Sequence, residues 1–240
     1  MEKGLFLSAR WEYLVMLNYS VDPVVLYPHL PPGTVLDLWN GKALVSVVGF
    51  MFNDTRVLGI KWPFHINFEE VNLRYYIKQE GAIEKRGVGF VSEIVPRRAI
   101  AVMANQLYNE HYHAMRMRHT HTFNEHDLAV SYDWKFRGKW NSLCVTAANK
   151  LEDITAGSEE EFILEHYYGY NRLKPNTSIV YQVQHPRWQV FPVSSWLLNA
   201  DIKGLYGKEF VPFIQGVAPQ SVFLAKGSDV TVRKPGRITV

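Results

Sequence analysis

Between Phe68 and Lys78 the sequence alternates without a break. Val71, Leu73, Tyr75 and Ile77 share one face with Glu69, while Glu70, Asn72, Arg74, Tyr76 and Lys78 share the other. A period of two places successive side chains on opposite faces, so this segment is a strand with two chemically different sides. Whatever the chain builds must bury the first side and give the second something polar to do.

The neighbouring segments are mostly of the same kind. Trp11 to Tyr19 reads as a strand, followed by Asp22 and Pro23 as N-cap and first residue of a short helical turn that ends before Pro31-Pro32. Thr34 to Trp39 and Lys42 to Phe52 flank Asn40-Gly41, a pair that accepts positive φ, and together read as a tight antiparallel hairpin. Val88 to Val95 is a strand that Pro96 ends. Ile100, Met103, Ala104, Leu107 and Tyr108 then form one helical stripe with Asn109 as its stop. Ala114 to Phe123 pairs with Leu128 to Arg137, where Leu128, Val130, Tyr132, Trp134 and Phe136 face one way, and Trp140 to Ala148 returns. Ser158 and Glu161 make a capping box for a helix running to about Tyr168 and stopping at Gly169. Ser178 to Gln184 is a strand broken at His185-Pro186. Ser221 to Ala225 and Asp229 to Val232 read as two short strands around Lys226-Gly227-Ser228.

Strands follow strands, so this is not a βαβ series. The expected fold is mainly β (α+β): one domain over residues 1–240, with an antiparallel sheet that closes or nearly closes into a β-barrel and a few flanking helices. Aromatic residues, at 14%, suit both sheets and apolar pocket walls. The net charge of +3 is scattered, and the one basic cluster, Arg233, Lys234 and Arg237, reads as a solvated tail, which argues against a nucleic-acid partner. No run of 18 apolar residues predicts a membrane-spanning helix. The first residues lack a signal-peptide pattern and Cys144 is the only cysteine, so the expected location is cytoplasmic.

The familiar chemical signatures are absent: no Gly-rich dinucleotide turn, no phosphate loop, no Gly-x-Ser-x-Gly elbow and no His-Glu-x-x-His. The stretch Pro96 to Phe123, a helix passing into an aromatic and histidine-rich elbow, is the expected wall of a site. His111 and His113 are two apart, as are His119 and His121, so on a strand each pair shares a face. Such pairs either seat a metal, with Glu110, His126 or Asp127 as a third ligand, or are hydrogen-bonded histidines without one. Glu70 sits with Asn72 and Arg74 on the polar face of the alternating strand. That face is either a barrel lumen, where a carboxylate orients a ligand or moves a proton, or a solvated surface. His185-Pro186-Arg187-Trp188 is either a carboxylate grip or a strand kink with a packed indole.

Arg98 to Val102 and Gln106 to Tyr108, with FMFNDTRVLG (50–59), NFEEVNLRYYI (67–77), HPRW (185–188) and SVFLAKGS (221–228), resemble the YqjF-like family of uncharacterised bacterial proteins over nearly the whole chain. That family is similar in turn to acetoacetate decarboxylase, whose fold is a closed antiparallel barrel around a central pocket. In the decarboxylase, the helix corresponding to residues 96–108 leads to two lysines; the first forms a Schiff base and the second lowers its pKa. Tyr112 and His113 stand at those positions here, and neither can form an imine. Glu70 matches the decarboxylase's pocket glutamate and Arg10 its N-terminal arginine.

The resemblance therefore implies an acetoacetate decarboxylase-like barrel that binds a small anionic or carbonyl-bearing molecule, needs no cofactor and does not decarboxylate through an imine. Arg10, Glu70, Asn72, Tyr108, Tyr112, His113, His185 and Arg187 are the expected ligand-binding residues. Two alternatives stay open: an enzyme with His113 or Glu70 as acid or base, and a metal site among His111, His113, His119 and His121. A small molecule is the expected partner, and self-association is left open.

Overall fold

The alternating segment is a strand whose two faces feed two separate cores. In the computed structural model, residues 4–108 and 111–240 are described, apart from the side chains of Ile83, Ala104, Leu107 and Tyr108. The chain opens with β1 (Leu5–Val21), β2 (Thr34–Leu36), β3 (Ala43–Val57), β4 (Phe68–Gln79) and β5 (Ala82–Val95), then α1 (Arg98–Tyr108). It continues through β6 (Tyr112–Ala114), β7 (Arg116–Phe123), β8 (Asp127–Phe136), β9 (Lys139–Ala148), β10 (Glu152–Asp153) and α2 (Glu159–Leu164). The last part comprises β11 (Tyr168–Lys174), β12 (Thr177–Gln184), β13 (Gln189–Phe191), β14 (Val193–Asn199), α3 (Ile202–Tyr206), α4 (Val211–Ile214), β15 (Ser221–Arg233) and β16 (Gly236–Thr239).

Hydrogen bonds run β15-β1-β3-β4-β5-β11-β12 and return to β15 through Val183↔Val232 and Gln184↔Thr231. The result is an uneven, nearly closed barrel, antiparallel except where β11 runs parallel to β5. A second sheet, in the order β14-β9-β8-β7, lies against one side of it. Val71, Leu73, Tyr75 and Ile77 of β4 are buried in one core with Leu128, Val130, Tyr132 and Trp134 of β8, the apolar stripes that alternation predicts. The other face of β4, from Phe68 to Tyr76, turns into the barrel. Among the described residues, no helix is long and apolar enough to cross a membrane.

Four local expectations are corrected. The hairpin between residues 34–39 and 42–52 shrinks to its turn: Asn40 and Gly41 do take positive φ, and Trp39 bridges Lys42, but β2 pairs with β4 instead. Both edges of β3 are already taken by β1 and β4, so no third strand can join it. The helix begun by Ser158 ends at Leu164, and Gly169 lies in β11, where the Tyr181 ring leaves no room for a β-carbon. Residues 114–123 divide, β6 pairing with β5 and β7 with β8. The two short strands expected at 221–232 are one strand that Gly227 carries through at φ 81°.

The Asn40-Gly41 turn gives a small, clean prediction. Gly41 has φ 79° and open space around it, so Gly41→Ala adds only the strain of a left-handed alanine. The expected cost is about 1 kcal/mol, read as a lower urea midpoint with an unchanged slope. A cost of several kcal/mol would mean that the turn is packed rather than open.

Candidate functional site

The barrel encloses a cavity of about 150 Å³. Much of its wall is aromatic. Trp11 meets Phe50 at 5.1 Å and Phe52 at 5.5 Å between ring centroids, and Phe52 stacks on Phe68 at 4.6 Å. Across this apolar wall runs one polar strip, Glu70, Asn72 and Arg74, at alternate positions of β4. The strip is the inward face of the alternating strand.

Glu93 joins it from β5 through a break in the alternation. Leu73 pairs with Ser92 but Arg74 pairs with Phe90, so the pairing shifts there by a residue. Such a bulge moves every later side chain to the other face. Val88 and Phe90 line the cavity before it and Glu93 after it. Glu70 and Glu93 are only 3% and 1% exposed, so both carboxyls are removed from bulk water.

Tyr112 enters from the elbow after α1. Asn105 clamps the elbow: its Nδ2 donates to the Tyr112 carbonyl at 3.0 Å, and the Tyr112 amide donates to its Oδ1 at 2.8 Å. Strand β6 pairs Tyr112 with Glu93, and the Tyr112 hydroxyl donates to Glu70 Oε2 at 2.9 Å. The other carboxylate oxygen of Glu70 accepts from Asn72 Nδ2, also at 2.9 Å. A carboxylate with donors on both oxygens is held in one orientation.

Farther along the strip the chemistry reverses. Arg74 reaches the Tyr76 hydroxyl at 3.3 Å, and the Met16 sulfur and Ile163 carbonyl at 3.5 Å each. Among the described residues, no carboxylate lies within ion-pairing distance of it. Two histidines line the cavity as well. His166 Nε2 lies 3.2 Å from Asp37, which also receives Arg86 Nε at 2.6 Å and Lys78 at 3.3 Å. Burial by itself would raise the Asp37 carboxyl, yet hydrogen bonds from His166 and Arg86, with the Arg86 charge, hold it well below the usual carboxylate range.

Burial pushes His166 down to about 4 despite Asp37, so its imidazole is neutral at pH 7. With Nε2–H donating to Asp37, Nδ1 is left as an acceptor. Nδ1 is buried and, among the described residues, has no hydrogen-bond partner; the same holds for Asn72 Oδ1. His185 stacks on Trp188 at 4.0 Å, and burial lowers its pKa as well.

Of the residues singled out from sequence, Glu70, Asn72, Tyr112 and His185 come together around the cavity. Arg10 does not line it: it alternates with the inward-facing Trp11 and pairs on the outside with Glu12 at 3.3 Å. His113 follows Tyr112 on β6, turns the opposite way and is exposed. Arg187 braces α2 instead, with Glu161 at 2.7 Å and the Ile154 carbonyl at 3.0 Å. The Tyr108 side chain, Asn109 and Glu110 lie outside the described residues.

His119 and His121 do share a face, with ring centroids 5.0 Å apart, but it is not a cavity face. His119 Nδ1 meets Glu69 at 2.7 Å on the side of β4 turned toward the second sheet. Among the described residues, no three His, Cys, Asp or Glu side chains gather as a metal site. Sequence reasoning missed Glu93 and His166 as cavity residues. The bulge concealed the first, and the second falls within the helix expected to run to about Tyr168, whereas α2 ends at Leu164 and leaves His166 beyond it.

The model of DUF2071, a family described as an uncharacterized conserved protein, matches residues 8–229. The chain belongs to this family. No curated protein matches it by sequence. Among solved structures, the DUF2071 chain is similar to acetoacetate decarboxylase from Legionella pneumophila at 14% identity and a TM-score of 0.64, covering 97% of this chain and 87% of that one. It is also similar to the enduracididine biosynthesis enzyme MppR complexed with pyruvate, at 13% identity and a TM-score of 0.68 over 100% and 91% of the two chains. An acetoacetate decarboxylase-like enzyme from Sphingomonas wittichii RW1 gives 10% identity and a TM-score of 0.65 over 98% and 93%. These likenesses establish an acetoacetate decarboxylase-like fold for the DUF2071 chain.

Proposed function

We propose that the barrel cavity binds a small molecule bearing a carboxylate or carbonyl group and forms no imine with it. The observation that carries this reading is the polar strip of β4, with Tyr112 bonded to Glu70, in a cavity where no lysine is found among the described lining residues. A Schiff base needs an amine, and tyrosine has none. Arg74 offers a planar pair of donors suited to a carboxylate. MppR, which shares the fold, is described in complex with pyruvate, a molecule of this class.

Borohydride reduction in the presence of pyruvate or acetoacetate is expected to leave the protein mass unchanged. A trapped adduct on any lysine would overturn the second half of the proposal. Titration of tryptophan fluorescence, which Trp11 and Trp188 report from the cavity wall, tests the first half. Arg74→Met is expected to weaken carboxylate binding roughly tenfold, the worth of one charge-assisted hydrogen bond. Equal affinity in the variant would remove Arg74 from the site.

The Tyr112–Glu70 hydrogen bond favours a second, enzymatic reading. Glu70 would take a proton next to a carbonyl while Tyr112 donates to the oxyanion that develops. Exchange of the methyl protons of pyruvate into D₂O, seen by NMR, would then depend on Glu70 and vanish in Glu70→Gln. No exchange above buffer with the native protein would dismiss this reading.

A further inference from the structure

Resting on the cavity as a carboxylate site, we infer that its ligand is a hydrocarbon acid. A carboxylate meets Arg74, and the remainder is an apolar group of about six carbons rather than the single methyl of pyruvate. The first reason is how the polar side chains are already used. Both oxygens of Glu70 accept hydrogen bonds, from Asn72 Nδ2 and from the Tyr112 hydroxyl, and Glu93 is engaged with neighbours as well. Asn72 Oδ1 and His166 Nδ1 lack partners but expose almost none of their own surface, so a ligand has little access to them. Arg74 differs. Its Nε and Nη2 make only long contacts to a hydroxyl, a sulfur and a carbonyl, and its Nη1 meets no acceptor among the described residues. A guanidinium in that state has two outward donors for one carboxylate.

The second reason is what surrounds that cation. Phe90 stands across from Arg74 in the β4–β5 pairing, and Ile163 and Leu164 line the same cavity beside it. The rings of Trp11, Phe50 and Phe52, in mutual contact, continue the apolar lining. Apolar surface removed from water is the main source of affinity in such a wall, and pyruvate has one methyl group to offer it. The third reason is size. A cavity of about 150 Å³ with apolar walls is the kind of space that excludes water and accepts a benzene-sized molecule. A carboxylate at Arg74 therefore leaves room for a hydrocarbon group that a small keto acid does not fill.

The test titrates the full chain, by tryptophan fluorescence and by calorimetry, with straight-chain carboxylates from acetate to octanoate and with 3-phenylpropanoate. Pyruvate, acetoacetate and the alcohols matching each carboxylate complete the set. Each added methylene is expected to tighten binding roughly three- to fourfold until the cavity is full, which puts hexanoate or 3-phenylpropanoate roughly a hundredfold ahead of pyruvate. Arg74→Met should weaken every acid roughly tenfold and leave the alcohols unchanged. If pyruvate or acetoacetate binds as well as the longer acids, and still depends on Arg74, the hydrocarbon acid is wrong and the carboxylate site stands. If the alcohols bind as well as the acids and Arg74→Met changes neither, the cavity is not a carboxylate site and both readings fall. If nothing in the series binds the native protein, both fall as well.

Discussion

Gly227→Ala is expected to cost on the order of 4 kcal/mol, placing it among the most damaging single substitutions in the chain. Two effects add. Gly227 has φ 81°, where an L-residue pays about 1–2 kcal/mol. Its β-carbon would also be driven into the carbonyl oxygen of Trp11 on β1. A backbone atom has no rotamer to escape into, so either β1 moves or its pairing with β15 opens at Glu12↔Gly227. The next residue, Ser228, accepts the indole N–H of Trp188 at 2.7 Å, so the disturbance reaches two tryptophans of the cavity wall. Gly41→Ala is the control, since that glycine has nearly the same φ and nothing near it. Urea unfolding should show a loss at least twice as large for Gly227 as for Gly41. Equal losses would show that β1 and β15 are not in close contact there, and the wall carrying Trp11 would have to be redrawn.

The same glycine shows what was and was not legible in the sequence. Lys226-Gly227-Ser228 looks like a loop between two strands because glycine usually breaks a strand. Its other use, letting one backbone pass close to another, depends on a partner two hundred residues away that local pattern cannot show. Alternation was readable wherever one face met a core, and it correctly separated the two sides of β4 and β8. It failed at β5, where a bulge shifts the pairing by one residue and turns Glu93 inward. Tyr112 was placed from family resemblance, and the Asn105 clamp on the elbow explains physically why it points at Glu70. Arg10 was placed by the same resemblance and does not line the cavity, because on β1 the inward position belongs to its neighbour Trp11. The Asn40-Gly41 turn was right and its hairpin wrong, since a turn signal says nothing about which strand edges remain free.

Acidification is expected to unfold this protein in a pH window set largely by histidine rather than by carboxylates. His166 is held neutral in the fold at about 4 against 6.5 when free, and its surroundings explain why. The Tyr76 and Phe162 rings pack on it at 4.9 and 5.1 Å, Arg86 and Arg74 repel a proton, and Asp37 only partly compensates. Because the folded pKa is depressed, the unfolded chain binds the extra proton first. Stability is therefore complete above pH 6.5 and falls as pH drops toward 4, by roughly 1.4 kcal/mol per pH unit and about 3 kcal/mol in all. His121, also lowered to about 4 by burial, pulls in the same direction from the other core. Asp37 does not contribute in this window: its carboxyl is depressed, so its share is lost only below about pH 4. His166→Gln keeps a donor for Asp37 but cannot titrate. Its deficit relative to the native chain, measured by urea unfolding at pH 7.5 and again at pH 4.5, should shrink by about 2 kcal/mol or more. A deficit that stays constant with pH would mean that His166 is solvated, and the acceptor assigned to its Nδ1 at the cavity wall would go with it.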